Sequence, residues 1–129
     1  MLPKINPTST QAWQQLQAHY HEIKEKQLRE LFKEDTNRFE KLSVEKGDIL
    51  FDYSKNIITD KTLHLLLQLA NDCKLKEAIN ALFAGDKINA TEGRAVLHTA
   101  LRNFSKEPVF AEGSDVMPLV RKVLKKMKS

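Results

Sequence analysis

The sequence predicts a mainly α chain with one small β-hairpin, and three observations carry that prediction. Apolar residues recur at helical spacing along most of its length, as in Trp13, Leu16, Tyr20 and Ile23, or Val116, Leu119, Val120, Val123, Leu124 and Met127. The pattern changes between Leu42 and Tyr53, where the β-formers Val44 and then Ile49, Leu50, Phe51 and Tyr53 flank the turn signal Glu45-Lys46-Gly47-Asp48. A length of 129 residues with 41% apolar content allows one core and no more. We therefore expect five or six helices and one or two short β elements, with residues 1–129 forming a single segment.

Taken in order, Pro3 and Pro7 make an irregular entry, after which Ser9 or Thr10 caps a helix to about Lys26. His19 and His21 on that helix are two apart, whereas a metal pair needs a spacing of three or four, so neither is read as a ligand. Gln27 to Glu34 continues helically with Leu28, Leu31 and Phe32 inward, and Asp35 or Thr36 caps a short segment holding Phe39 and Leu42. The hairpin follows and must lean on helices, since two strands alone are marginal in water.

Thr59 precedes a strongly apolar helix from Lys61 to about Cys73, with Leu63, Leu66, Leu67, Ala70 and Cys73 in one stripe and Leu65 and Leu69 broadening it. Cys73 reads there as a small buried hydrophobe and His64 as a surface residue. Lys74 to Ala84 is a further helix with Leu75, Ile79, Leu82 and Phe83 inward and Gly85 as its left-handed stop. Thr91 is placed to cap the next helix, which carries Glu92 in its first turn and Ala95, Leu97, Ala100 and Leu101 on its apolar face. Gly93 would be unfavourable in such a helix by about 1 kcal/mol, which suggests close packing against a neighbour and destabilisation by Gly93→Ala. Arg94 and His98, four apart, would share one face, and a polar surface outweighs a phosphate clamp with an acid/base partner. Val109 to Ala111 reads as a short strand closed by Gly113, and Ser114 or Asp115 opens a last helix with Pro118 in its first turn. That helix is still amphipathic at Ser129, as expected of a chain cut from something longer. The stripes on Lys61 to Cys73 and Val116 to Met127 should leave an exposed apolar patch able to drive self-association.

Composition excludes several function classes. Five of the 21 basic residues, Arg121, Lys122, Lys125, Lys126 and Lys128, fall in the last nine positions, leaving 16 basic against 17 acidic residues elsewhere. The net charge of +4 is therefore a property of the tail and gives no reason to expect nucleic acid as a partner. No run of about eighteen apolar residues is present, so no membrane span is expected. A lone cysteine and the lack of a secretion signal point to the cytoplasm, where the N-glycosylation patterns at Asn89 and Asn103 would not be read. There is no P-loop, dinucleotide glycine fingerprint, cysteine metal pair or nucleophile elbow.

Three phrases carry a resemblance. G-D-K-I-N-A-T-E-G-R-A-V-L-H-T-A-L-R-N from Gly85 to Asn103, D-Y-S-K-N-I-I-T from Asp52 to Thr59 and D-V-M-P-L-V-R-K-V-L-K-K-M-K from Asp115 to Lys128 occur in order. Together they resemble the N-terminal part of the glucose-6-phosphate isomerase (phosphoglucose isomerase) family. The resemblance implies the N-terminal helical portion of a much longer α/β enzyme with two sugar-isomerase-type domains, active as a homodimer in glycolysis and gluconeogenesis without metal or organic cofactor. The family's phosphate-binding loop, its proton-shuttling glutamate and its ring-opening histidine and lysine lie beyond the matched phrases. No residue here is thus expected to be catalytic, cofactor-binding or metal-binding, and sugar phosphate is expected to bind only the full-length protein. The competing reading is a free-standing helical module whose basic last helix binds an acidic surface.

Overall fold

A computed structural model describes residues 3–105 and 107–128. The chain divides into two compact units, one formed by Asn6–Cys73 and the other by the residues from Lys74 onward with the entry segment up to Ile5. It is mainly α, with seven α-helices and two short hairpins among the described residues.

In the first unit a 3-10 turn, Pro7–Ser9, leads into α1, Gln11–Ile23. The Thr10 hydroxyl accepts from the Trp13 N–H at 3.2 Å, satisfying one of the N–H groups that a helix start leaves free. Gln27 begins α2, Leu28–Glu34, and its N–H is received by the Glu30 carboxylate at 3.1 Å, so the bend near Lys26 is a true break between helices. Asp35 Oδ1 accepts from the Asn37 N–H ahead of the single-turn helix α3, Arg38–Lys41. Strands β1, Ser43–Lys46, and β2, Ile49–Asp52, pair antiparallel with Lys46 opposite Ile49, so the turn is Gly47-Asp48 alone. Gly47 takes φ 59 at its first position, where glycine bears no Cβ penalty. The unit ends with α4, Asp60–Asp72, which packs on α1.

The core of this unit consists of Ala12, Ile23, Leu31, Leu42 and Leu65, with His19, Arg38, Ser54 and Thr62 buried among them. Ile23 and Leu65 are buried as expected, but the rest of each buried row is turned by about one position from the expected stripe. On α1 the inward residues are Ala12, His19 and Ile23, with Leu16 half-buried and Tyr20 exposed; on α4 they are Thr62 and Leu65, with Leu66 and Leu67 exposed. In both helices the row actually used includes a polar side chain, because the two polar groups hydrogen-bond each other inside the contact. Leu28 and Phe32, expected inward, are exposed, and so are Val44, Ile49, Leu50 and Phe51 of the hairpin, which was expected to lean on helices.

In the second unit, Lys74 at φ 58 precedes α5, Leu75–Ala84. Gly85 at φ 76 ends it as expected, with the Asp86 N–H returning to the Ala81 carbonyl at 3.0 Å and the Gly85 N–H to Leu82 at 3.3 Å. The helix expected from Thr91 does not form. Residues 89–94 make a turn closed by an Asn89–Arg94 bridge, in which the Asn89 side chain receives the Glu92 N–H and Gly93 adopts φ 64. A left-handed glycine two residues after Thr91 is incompatible with helix, and the asparagine supplies the backbone with a local partner instead. Helix is confined to α6, His98–Leu101.

The short strand expected at Val109 to Ala111 is β3, Phe110–Ala111, which pairs with an unexpected β4, Ser114–Asp115, around Glu112 and Gly113 at φ 52 and φ 78. Asp115 Oδ1 then accepts from the Met117 N–H at 3.0 Å, starting α7, Met117–Met127, with Pro118 in its first turn. Among the described residues the buried apolar side chains of this unit are Ala100 and Met117, whereas Leu75, Ile79, Phe83, Leu119, Val123, Leu124 and Met127 are exposed. The α7 stripe leaves Leu119, Val123, Leu124 and Met127 exposed as expected, and α5, expected to turn Leu75, Ile79 and Phe83 inward, leaves them exposed as well.

Gly85 lies directly beneath the Phe110 carbonyl oxygen, where any Cβ would collide with backbone, while a Cβ at Gly93 would meet open space. The close packing expected at Gly93 is therefore absent, and only its left-handed backbone disfavours a side chain. Gly85→Ala should lower stability by about 2 kcal/mol or more and Gly93→Ala by about 1 kcal/mol, as read from urea unfolding midpoints; a rise in either variant contradicts the assignment.

Candidate functional site

The polar residues that the first unit draws together centre on His19, which is 4% exposed. Its Nδ1 lies 3.0 Å from Glu22 Oε2 and its Nε2 lies 2.8 Å from Thr62 Oγ1 and 3.2 Å from Thr59 Oγ1. An ionised carboxylate only accepts, so Nδ1 carries the proton and Nε2 is left to meet the hydroxyls. The same hydroxyls close the start of α4, since the Thr59 N–H donates to Thr62 Oγ1 at 3.0 Å and the Thr62 N–H to Thr59 Oγ1 at 3.4 Å. Lys61 Nζ completes the group at 2.7 Å from Glu22 Oε2.

A second polar lock holds the loop after β2. Arg38 is buried beside the Phe32 ring and donates through Nε to the Ser54 carbonyl and through Nη2 to the Asn56 carbonyl, both at 2.7 Å. Asp52 Oδ1 accepts from the Ser54 hydroxyl at 2.6 Å and from its N–H at 2.9 Å. In this way two charged side chains fix residues 52–56, and the planar guanidinium fits its two carbonyls as a lysine could not.

These contacts set the titration of the groups involved. The His19 ring, then Lys61, holds the Glu22 carboxyl below its ordinary 4.5. The Lys41 ammonium, at 2.8 Å, holds Asp35 below its ordinary 3.8 and is itself raised by it. The Ser54 hydroxyl and N–H lower Asp52.

Both groups are built from contacts within the same fold, His19 with Glu22, Thr59 and Thr62, and Arg38 with the Ser54 and Asn56 carbonyls. Arg94 and His98 are not brought together as expected. Arg94 lies in the turn and donates through Nε and Nη2 to Glu92 at 3.1 and 2.6 Å, and His98 is exposed at the first position of α6. His64 is exposed as expected, and Cys73 is a half-buried free thiol at the end of α4. Asn89 and Asn103 both use their side chains in local turns. A groove of about 710 Å³ in the second unit is lined by Glu77, Asn80, Asp86 and Lys87 over Ala81 and Ala84, without histidine, cysteine or hydroxyl groups. Among the described residues no cluster of three or more histidine, cysteine or acidic side chains could hold a metal, and no helix is long and apolar enough to cross a membrane.

The His19 group was legible in part. His19 and Glu22 are three apart, and Ala12, Leu16, His19 and Ile23 are spaced as regularly as the stripe that was preferred. The partner of His19 within its own helix is the Glu22 carboxylate one turn away, not His21.

Comparison with known proteins turns on residues 52–129, which match the family described as phosphoglucose isomerase. The chain belongs to that family. The chain is also 51% identical to the glucose-6-phosphate isomerase of Desulforapulum autotrophicum over 128 residues, which is 99% of this chain and 23% of the relative's length. The Arg38 lock thus grips the loop at which the phosphoglucose isomerase match begins. Nothing in these likenesses supports the competing reading of a basic module for acidic surfaces.

If the His19 to Thr62 bond couples α1 to the start of α4, His19→Ala and Thr62→Ala should each cost about 1–3 kcal/mol. Their double variant should cost less than the sum by more than about 0.5 kcal/mol; strict additivity in chemical denaturation would count against the coupling. The lowered carboxyl groups contribute stability that is complete above their ordinary 4.5 and 3.8 and disappears as pH falls through their folded values. Lys41 works in the opposite sense, contributing below its ordinary 10.5 and losing that contribution as pH rises past it. Unfolding midpoints should therefore fall on the acid side below about pH 4.5, less steeply in Glu22→Gln than in the unaltered chain.

Proposed function

We propose that this chain is the N-terminal scaffold segment of an enzyme that interconverts glucose 6-phosphate and fructose 6-phosphate. The observation that carries this reading is identity of 51% along 99% of the chain against 23% of the relative's length. On this reading residues 1–129 form one helical segment of the enzyme, and the domains that perform the isomerisation lie in the other three quarters of a family-length chain. There a carboxylate base removes the proton from C2 of the ring-opened sugar, and the enediol accepts it back at C1. The residues described here support that chemistry by position, with their polar groups committed to the fold. A cytoplasmic homodimer acting on the sugar phosphate without a cofactor is the setting the family resemblance implies.

The test is a coupled assay of fructose 6-phosphate isomerisation on two proteins. One is the 129-residue chain; the other is a chimera in which it replaces the matching segment of the Desulforapulum autotrophicum protein. Activity is expected in the chimera alone. A folded but inactive chimera, or activity that stays with the short chain through purification, would overturn the reading.

A further inference from the structure

The first hairpin presents an apolar face that nothing in its own unit covers. Its register places Val44 opposite Phe51 and Lys46 opposite Ile49, so these four share one side, and Ser43, Glu45, Leu50 and Asp52 share the other. Val44, Ile49 and Phe51 are 56%, 71% and 64% exposed. Tyr53 extends the same side, its ring stacked on Phe51 with centroids 5.4 Å apart. The base is rigid: the Tyr53 N–H donates to the Leu42 carbonyl at 2.9 Å, Leu42 is buried, and Arg38 holds the next residue. A preformed, one-sided apolar ribbon of this kind is marginal in water without cover.

We propose that the face of Val44, Ile49, Phe51 and Tyr53 docks onto the part of a family-length chain that lies outside these 129 residues. This rests on the reading of the chain as an isomerase segment. Size decides between that occupant and a second copy. The exposed parts of Val44, Ile49 and Phe51 with the Tyr53 ring offer accessible surface on the order of 400 Å². A stable association of separate molecules needs roughly 800 Å² from each partner. A covalently attached surface meets the face at an effective concentration of about millimolar, so a small apolar patch suffices there. On this proposal such a surface lies in the roughly three quarters of the relative's length that has no counterpart here.

Amide hydrogen exchange of the 129-residue chain and of the chimera tests this. The amides of β1 and β2 should exchange at least about ten-fold more slowly in the chimera. Ile49→Ser with Phe51→Ser should abolish that difference, and Leu50→Ser on the opposite side should preserve it. Equal exchange in the two proteins overturns the docking, as does protection in the short chain that rises with its concentration, which would identify a second copy. In the short chain alone the Ile49→Ser, Phe51→Ser pair should move the thermal midpoint by no more than about 2 °C; a larger drop would show the face already buried and overturn the proposal without the chimera. The isomerase assay on the same chimera separates the two failures: activity without hairpin protection removes only the docking, and protection without activity removes only the proposed function.

Discussion

Between α1 and α4 a buried imidazole stands between a carboxylate of its own helix and two threonine hydroxyls of the other. The first unit depends on that arrangement more than on any single apolar contact. A histidine withdrawn from water requires partners for both nitrogens, and the threonines that provide one of them are the residues that close the start of α4. The position of α4 against α1 is thereby set by a directional bond, with Ala12, Ile23 and Leu65 filling the remaining space. Arg38 acts in the same manner on the loop preceding α4, because a buried guanidinium needs acceptors, and the two loop carbonyls receive its Nε and Nη2 donors.

Apolar burial contributes less than the composition suggests. The second unit buries Ala100 and Met117 while the apolar rows of α5 and α7 remain in water. Short local devices hold it: a glycine stop at Gly85, an asparagine turn at Asn89 and an aspartate at Asp115 that starts α7. Such devices fix the direction of the backbone at small cost but leave the side chains beyond them uncovered. The chain spans about a quarter of the length of the curated relative it matches.

What could be read at the candidate site divides along the same line. The family phrases were visible letter by letter and led to the correct family. The reading of Arg94 and His98 as one face failed because it assumed helix through Gly93, whose left-handed backbone belongs to a turn. The His19 group escaped notice because its partners Thr59 and Thr62 lie some forty residues away, and only the Glu22 half is local in sequence.

The sequence by itself determined the local structure: the Thr10 and Thr59 caps, the Gly85 stop, the first hairpin and the start of α7 near Asp115 all depend on groups within a few residues of one another. Tertiary structure decided which side of each helix was buried. On α1 and α4 periodicity pointed to the more apolar row, whereas the bond from His19 to Thr62 holds inward the row that carries the polar residue. It also decided that the face of Val44, Ile49 and Phe51 stays open, since cover for a strand face must come from elsewhere in space and leaves no trace in the alternation of the strand itself.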